Sequence, residues 1–227
     1  MSEHITNQHL LITSDGSHTV YHPQTQQHYH SIHGAIQESE HVFIDAGLKV
    51  IESKEISILE IGFGTALNCF LTAMYAMENN LNIHYTGIEP FPLDLKIVQE
   101  LNYTQKLKKQ QFNNVFLKMH DSQMDHWIEI NSNFNLIKVQ QKIEDAILMD
   151  QYNLVYFDAF APGAQPELWL PEIFNKIYNS MLPGGILTSY CAKGEFKRTL
   201  KKSGFILEAL PGPLGKREMV RAIKPLF

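Results

Sequence analysis

Ile58-Leu59-Glu60-Ile61-Gly62-Phe63-Gly64-Thr65-Ala66-Leu67-Asn68 is the stretch on which the fold turns. A short apolar run reads as a buried strand, two glycines follow one residue apart, and Ala66 to Met77 has the apolar pattern of a helix. A chain that turns this sharply needs residues without a Cβ. The bare backbone can then approach a ligand, whose polar end meets the free N–H groups of the helix start. A dinucleotide-binding fingerprint would place a third glycine after two more residues, and Thr65-Ala66-Leu67 stands there instead. An NAD-linked oxidoreductase is therefore the weaker reading of this loop.

Strand and helix alternate outward from it. Ile83 to Ile88 is a strand and Leu93 to Leu101 a helix. Leu136 to Gln140, Leu154 to Phe157 and Gly185 to Tyr190 are further short apolar strands, with a helix near Pro171 to Met181 between the last two. Nearly continuous apolar strands alternating with helices predict an α/β, doubly wound, mostly parallel sheet covered on both faces. The end of the chain breaks the rhythm. Glu195 to Ser203 reads as a basic amphipathic helix stopped at Gly204, and Phe205 to Leu210 and Glu218 to Ile223 as two strands. The short connection from Pro211 to Arg217 has no room for a crossover helix, so these strands should pair antiparallel. Ahead of the sheet, Leu10 to Ile12, the turn Ser14-Asp15-Gly16-Ser17 and Val20-Tyr21 predict a small hairpin, and Gly34 to Ile51 one or two helical segments broken near Gly47. With no linker in view, residues 1–227 are expected to form one domain, with 1–53 as an extension packed on it.

Composition narrows the setting. No apolar run approaches the roughly 20 residues of a membrane span. Cys69 and Cys191 lack the spacing of a zinc site or disulfide framework, which suggests a reducing, cytoplasmic location. His28, His30 and His33 lie close together, yet no acid or Cys pattern accompanies them, and no metal is expected. The net charge of −5 disfavours a nucleic-acid partner only until the charges are placed. From Tyr190 onward, nine Lys/Arg face three acids, so this tail carries +6 and the remainder −11. All three arginines lie in the tail, where guanidinium groups could grip phosphate; an ordinary solvated basic face is the competing explanation.

The next strand ends in Glu89, 25 residues after Gly64. A carboxylate there accepts hydrogen bonds from ribose hydroxyls, whichever nucleoside cofactor is bound. Glu60, two residues before the first glycine, can pair with a cationic amino acid moiety. Its acid-x-Gly-x-Gly order resembles the first motif of class I methyltransferases, and the antiparallel hairpin finishing a Rossmann-like sheet is similar to theirs. For the adenine side two positions compete: Asp145 in Ile143-Glu144-Asp145-Ala146, and the Gln140-Gln141-Lys142 stretch. After the fourth strand, Asp158-Ala159-Phe160-Ala161-Pro162 places a carboxylate where open α/β sheets bind ligands, beside a wall of Phe160, Pro162 and Trp169.

Glu60 to Asn68, Asp158 to Pro162 with Pro166 and Trp169, Pro183-Gly184-Gly185, Lys216 to Met219, Ser14 to Gly16 and Gly34 to Phe43 together resemble the methyltransferase of the MnmC/MnmD family, over nearly the whole chain. Ala66 departs from the glycine often found there. The resemblance implies S-adenosyl-L-methionine as cofactor, held by Glu60, Gly62, Gly64, Asn68, Glu89 and Asp145. It implies tRNA as partner, with the 5-aminomethyl group of a (2-thio)uridine at the wobble position as acceptor. Asp158 would be the catalytic residue, orienting the amine and taking up a proton. Phe160, Pro162, Trp169 and Glu38 would meet the acceptor, while Lys197, Arg198, Lys201 and Lys202 hold phosphate. Bifunctional members carry a flavin oxidase, and a chain ending at Phe227 is expected to receive its aminomethyl substrate from a separate enzyme. A small-molecule amine N-methyltransferase or an aminopropyltransferase would share the glycine loop and acidic site but need no basic tail. A non-catalytic RNA-binding module would have no use for Asp158.

Overall fold

The computed structural model describes residues 9–148 and 151–227, so the first eight residues of the N-terminal extension lie outside the described part. The extension opens with His9–Ile12 (β1), His18–His22 (β2) and Gln27–His28 (β3), an antiparallel three-stranded sheet. Ala35–Ser39 (α1) runs into a π-helical turn, Glu40–Asp45, and a 3-10 turn, Leu48–Val50, with the break at Gly47 where the pattern placed it.

The main sheet comprises Glu55–Ile61 (β4), Asn82–Ile88 (β5), Ile128–Asn131 (β6), Phe134–Val139 (β7), Tyr152–Phe157 (β8), Met181–Ser189 (β9), Ile206–Pro211 (β10) and Glu218–Ile223 (β11). Its order is β10-β11-β9-β8-β4-β5-β7-β6. The five central strands are parallel, as the apolar runs required. The terminal hairpin is antiparallel as expected, and β11 slots between β10 and β9.

Helices Leu67–Asn79 (α2), Leu95–Glu100 (α3), Tyr103–Lys106 (α4) and Asn113–Asp121 (α5) accompany the β4 to β7 half; Pro171–Ser180 (α6) and Gly194–Lys202 (α7) accompany the other. The period-two alternation of β4 divides the core between two faces. Ile56 and Ile58 join the cluster under α2 and α5, while Leu59 and Ile61 join the one under α6 and α7. Helix α4, helix α5 and strand β6 were not foreseen. Helix α5 has a polar, Asn- and Lys-containing surface and buries only Phe116 and Met119, and β6 is a four-residue antiparallel edge strand. Among the described residues, no helix is long and apolar enough to cross a membrane.

The candidate active site

Strand β4 is flanked by β5 on one side and β8 on the other, and the chain winds away from it in both directions. Such a switch point opens a crevice at the carboxyl ends of the strands. A cavity of about 290 Å³ lies there, lined by the 61–65 turn, Glu89 to Phe91, residues 142–144, the segment after β8 and the β2–β3 turn of the extension.

The glycine turn is built as its residues require. Gly62 (φ 89°) and Gly64 (φ 48°) occupy the left-handed region, and the amides of Gly62 and Phe63 donate to the Ile88 carbonyl. Ala66 is left-handed as well (φ 56°) at the start of α2. A glycine there would be free of the roughly 1–2 kcal/mol that a Cβ costs in this conformation, so the departure at Ala66 is more than a change of size. Thr65 is held from both sides by histidines. His30 Nε2 lies 2.5 Å from its hydroxyl, and His120 Nε2 donates to its carbonyl at 3.1 Å. Burial drives both imidazoles down to a pKa of about 4, so they are neutral props for the loop. His28 instead faces the Tyr21 ring and His33 sits against Gly215, so the three neighbouring histidines of the sequence go separate ways.

Glu89 follows β5 directly and is only 8% exposed. Its carboxylate accepts from the amides of Gly64 and Phe91, both at 2.9 Å, which ties the acid to the turn it faces. Burial pushes its pKa up to about 7, against the pull of those two amides. Glu60 stands one step back. The alternation of β4 that buries Ile56 and Ile58 under α2 sends Glu60 there too, fully buried, where Asn68 Nδ2 and the Tyr85 hydroxyl each occupy one of its oxygens at 2.8 Å. Neither Glu60 nor Asn68 lines the cavity; Glu60 fixes Asn68, which reaches it through Asp158. Asn68 Nδ2 in turn donates to Asp158 Oδ2 at 2.8 Å, and its own Oδ1 is buried with no hydrogen-bond partner among the described residues.

Asp158 is the first residue after β8, anchored by its amide to the Ile61 carbonyl at 3.0 Å. Burial, and then the nearby Glu38, push its pKa up to about 7, while the Asn68 hydrogen bond and Lys216 pull it down. Glu38 is buried in α1, accepting from the Ser31 amide and from Lys216 Nζ at 2.5 Å. The Lys216 ammonium lies 3.8 Å over the Tyr190 ring, whose hydroxyl donates to the Ala159 carbonyl. Phe160 packs its ring against Tyr29 and His22, at 5.2 and 5.3 Å between centroids. Asp158, Phe160, Tyr29 and His22 line one end of the cavity, and Glu38 and Lys216 stand behind that end, close enough to act on the Asp158 carboxyl. Lys216, Tyr190 and Tyr29 were not singled out for this site from sequence. They come from three distant segments that only folding brings together.

Other expected positions fall elsewhere. Asp145 is exposed and outside the cavity, whereas Lys142, Ile143 and Glu144 line it, so the wall draws on both adenine-side stretches but not on the Asp145 side chain. Pro162 is half-buried and not among the lining residues. Trp169 is not a free stacking platform. It is 8% exposed, wedged among Phe157, Phe174 and Phe196, with its indole N–H donating to the Phe160 carbonyl. Trp169→Ala should therefore cost about 3–5 kcal/mol of folding free energy, read by denaturant titration, whereas Phe160→Ala should cost far less stability. Lys197 is bridged to Glu218 at 2.7 Å, Arg198 is exposed midway along α7, and Lys201 and Lys202 are exposed at its far end.

A family profile described as S-adenosyl-L-methionine-dependent methyltransferase matches residues 94–225. The chain belongs to this family. The methyltransferase is 26% identical over 205 residues to the tRNA 5-methylaminomethyl-2-thiouridine biosynthesis bifunctional protein MnmC of Leptospira borgpetersenii, covering 85% of this chain and 31% of that one. It is 28% identical over 216 residues to the Pseudomonas fluorescens protein of the same name, again 85% and 31%. The chain thus spans about a third of the length of these curated relatives. The crystal structure of MNMC2 from Aquifex aeolicus superposes with a TM-score of 0.79 at 24% identity, over 99% of this chain and 72% of that one, which shows the class I methyltransferase fold.

S-adenosylmethionine fits the residues present. Glu89 offers a buried carboxylate facing the bare glycine turn, and Asn68 Oδ1 is an unused acceptor beside Asp158. If Glu89 accepts ribose hydroxyls, its carboxylate does so more strongly than the protonated acid, so with a pKa of about 7 cofactor affinity should fall as pH drops below 7. Glu89→Gln should weaken binding by roughly 1–3 kcal/mol at pH 8 and reduce that pH dependence. Calorimetry between pH 5.5 and 8 checks both; an unchanged affinity would move the ribose site elsewhere.

Proposed function

We propose that this methyltransferase N-methylates the 5-aminomethyl group of a (2-thio)uridine at the tRNA wobble position, giving 5-methylaminomethyl(-2-thio)uridine. The observation that carries the reading is the convergence of Asp158 and Glu38 beside Lys216 and the Phe160–Tyr29 wall: acids for an amine, aromatic faces for a base. The names of the bifunctional relatives point to the same modified nucleoside. Glu89, Gly62, Gly64 and Asn68 hold the cofactor, with Glu60 positioning Asn68 and residues 142–144 on the adenine side. Residues 1–53 act as an extension of a single methyltransferase domain. A wobble base comes from a single-stranded loop, where it can be presented to an aromatic wall. The aminomethyl group is made by a separate enzyme, and a tRNA substrate places the reaction in the cytoplasm.

Bound S-adenosylmethionine supplies an electrophilic sulfonium methyl. A primary alkyl amine has a pKa of roughly 10 and enters the site mostly protonated. Asp158, ionised above about pH 7, accepts the amine's N–H and takes its proton, which frees the nitrogen lone pair for attack. Asn68 fixes the rotamer of Asp158, and Glu60 fixes Asn68, so the carboxylate is aimed before substrate arrives. Lys216 offsets the second acid, Glu38, and keeps two negative charges tolerable in a largely buried site.

The test uses purified protein with methyl-labelled S-adenosylmethionine and tRNA bearing 5-aminomethyluridine, followed by digestion to nucleosides; polyamines serve as the alternative acceptors. Label in 5-methylaminomethyluridine is expected. Label confined to small amines would overturn the reading in favour of a small-molecule N-methyltransferase.

A further inference from the structure

Nine cations sit in the C-terminal tail, and the fold has already committed four of them. Lys197 is bridged to Glu218, Lys216 to Glu38 and Arg221 to Glu208, while Lys224 caps the carbonyls of Tyr178 and Met181. Lys193, Arg198, Lys201, Lys202 and Arg217 remain exposed, with no ion pair among the described residues.

Topology separates these five into two groups. Strand β9 ends at Ser189 on the crevice side, and β11 begins there, since Val220 pairs with Ser189 and Glu218 lies beyond it. Lys193, just before α7, and Arg217, just before β11, therefore both stand at the crevice edge. The Lys197–Glu218 bridge clasps the first turns of α7 to the start of β11 and sets Arg198 and Arg217 next to its two ends. Arg198 folds back toward the crevice end of its helix: a Cβ on Gly194 would come within 3.3 Å of its Nη1. Helix α7 then runs away from the crevice for about 12 Å at 1.5 Å per residue, and carries Lys201 and Lys202 to the opposite edge of the sheet, where β10 begins. Beside the near group, exposed Leu214 and Ile32 flank the contact between Gly215 and His33, an apolar rim on the same mouth.

We propose that Lys193, Arg198 and Arg217 form a cationic arc at the acceptor mouth that grips the phosphates flanking the target nucleotide of a single-stranded RNA loop, and that Lys201 and Lys202 take no part. This rests on the reading that the acceptor amine belongs to RNA. Arginines fork onto phosphate oxygens and lysine adds a point charge, while the net charge of −5 leaves the rest of the protein repelling a polyanion. The arc thus supplies both attraction and register, with Arg217 next in sequence to the Lys216 that pairs with Glu38 and acts on Asp158.

The full chain is titrated with a labelled anticodon stem-loop RNA at two salt concentrations in three forms: wild type, K193A/R198A/R217A and K201A/K202A. The arc variant is expected to lose at least about 10-fold in affinity and to lower the salt slope by about 2, near 0.7 per single-strand phosphate contact. The far-edge pair is expected to stay within about twofold of wild type. Unchanged affinity for S-adenosylmethionine in the arc variant confirms that its fold is intact. Equal losses in both variants, or an arc variant that binds as wild type does, would overturn the arc while leaving the RNA reading standing. Wild-type protein that binds no stem-loop at either salt, yet methylates small amines, would overturn both.

Discussion

Asp158→Asn is expected to lower the single-turnover rate of methyl transfer by roughly 100- to 10,000-fold, the range for loss of a positioned general base. Asparagine is nearly isosteric and can still accept from Asn68 Nδ2 through its amide oxygen, so the loop after β8 should keep its shape. What it loses is the negative charge to which the proposed mechanism assigns the orientation and deprotonation of the ammonium. Cofactor and RNA affinities should change little, which separates a chemical from a binding defect. The wild-type rate should climb with pH and level off above about 7. Burial and Glu38 raise the Asp158 pKa to that point, and below it the carboxyl already carries the proton it must accept. Rapid-quench measurements at saturating substrates, from pH 5.5 to 9, read both effects. A full wild-type rate in the variant would remove Asp158 from catalysis, and a flat wild-type profile would remove its titration from the rate-limiting step.

Gly62→Ala is the second large effect. Gly62 sits at φ 89°, and a Cβ there would lie 2.6 Å from the Asp158 carbonyl oxygen. That oxygen is backbone, and the Asp158 amide is itself bonded to the Ile61 carbonyl, so neither chain can yield without moving the segment after β8. Left-handed strain and the clash together should cost roughly 2–4 kcal/mol, lowering stability and cofactor affinity at once. Gly64→Ala provides the control. There the obstacle is the Tyr29 ring at 2.7 Å, a side chain of the extension that can swing away. We expect that variant to fold, with affinity for S-adenosylmethionine reduced by a smaller factor than in Gly62→Ala. Thermal denaturation and calorimetry on both decide the matter; wild-type behaviour of Gly62→Ala would show that the turn tolerates a side chain.

Read from the strand outward, Ile56 to Ile61, the paired glycines and the apolar pattern of α2 were enough to specify a parallel sheet with a ligand turn at its carboxyl edge. The seven residues from Pro211 to Arg217 were enough to specify an antiparallel ending. These are local properties: strand period, glycine chemistry and loop length act within a few residues and leave their mark in linear order. The same holds for Glu89 and Asp158, each the first residue after a strand and so delivered to the crevice by the strand itself. Tertiary structure alone decided that Glu60 faces α2 and serves Asn68, that Trp169 disappears into an aromatic cluster, and that Lys216 crosses 178 positions of sequence to meet Glu38. It also divided one basic helix into a crevice end and a far end. A side chain's partners across the sheet depend on which face its strand register presents and on which distant loop closes over it. Neither is written in the spacing of its neighbours.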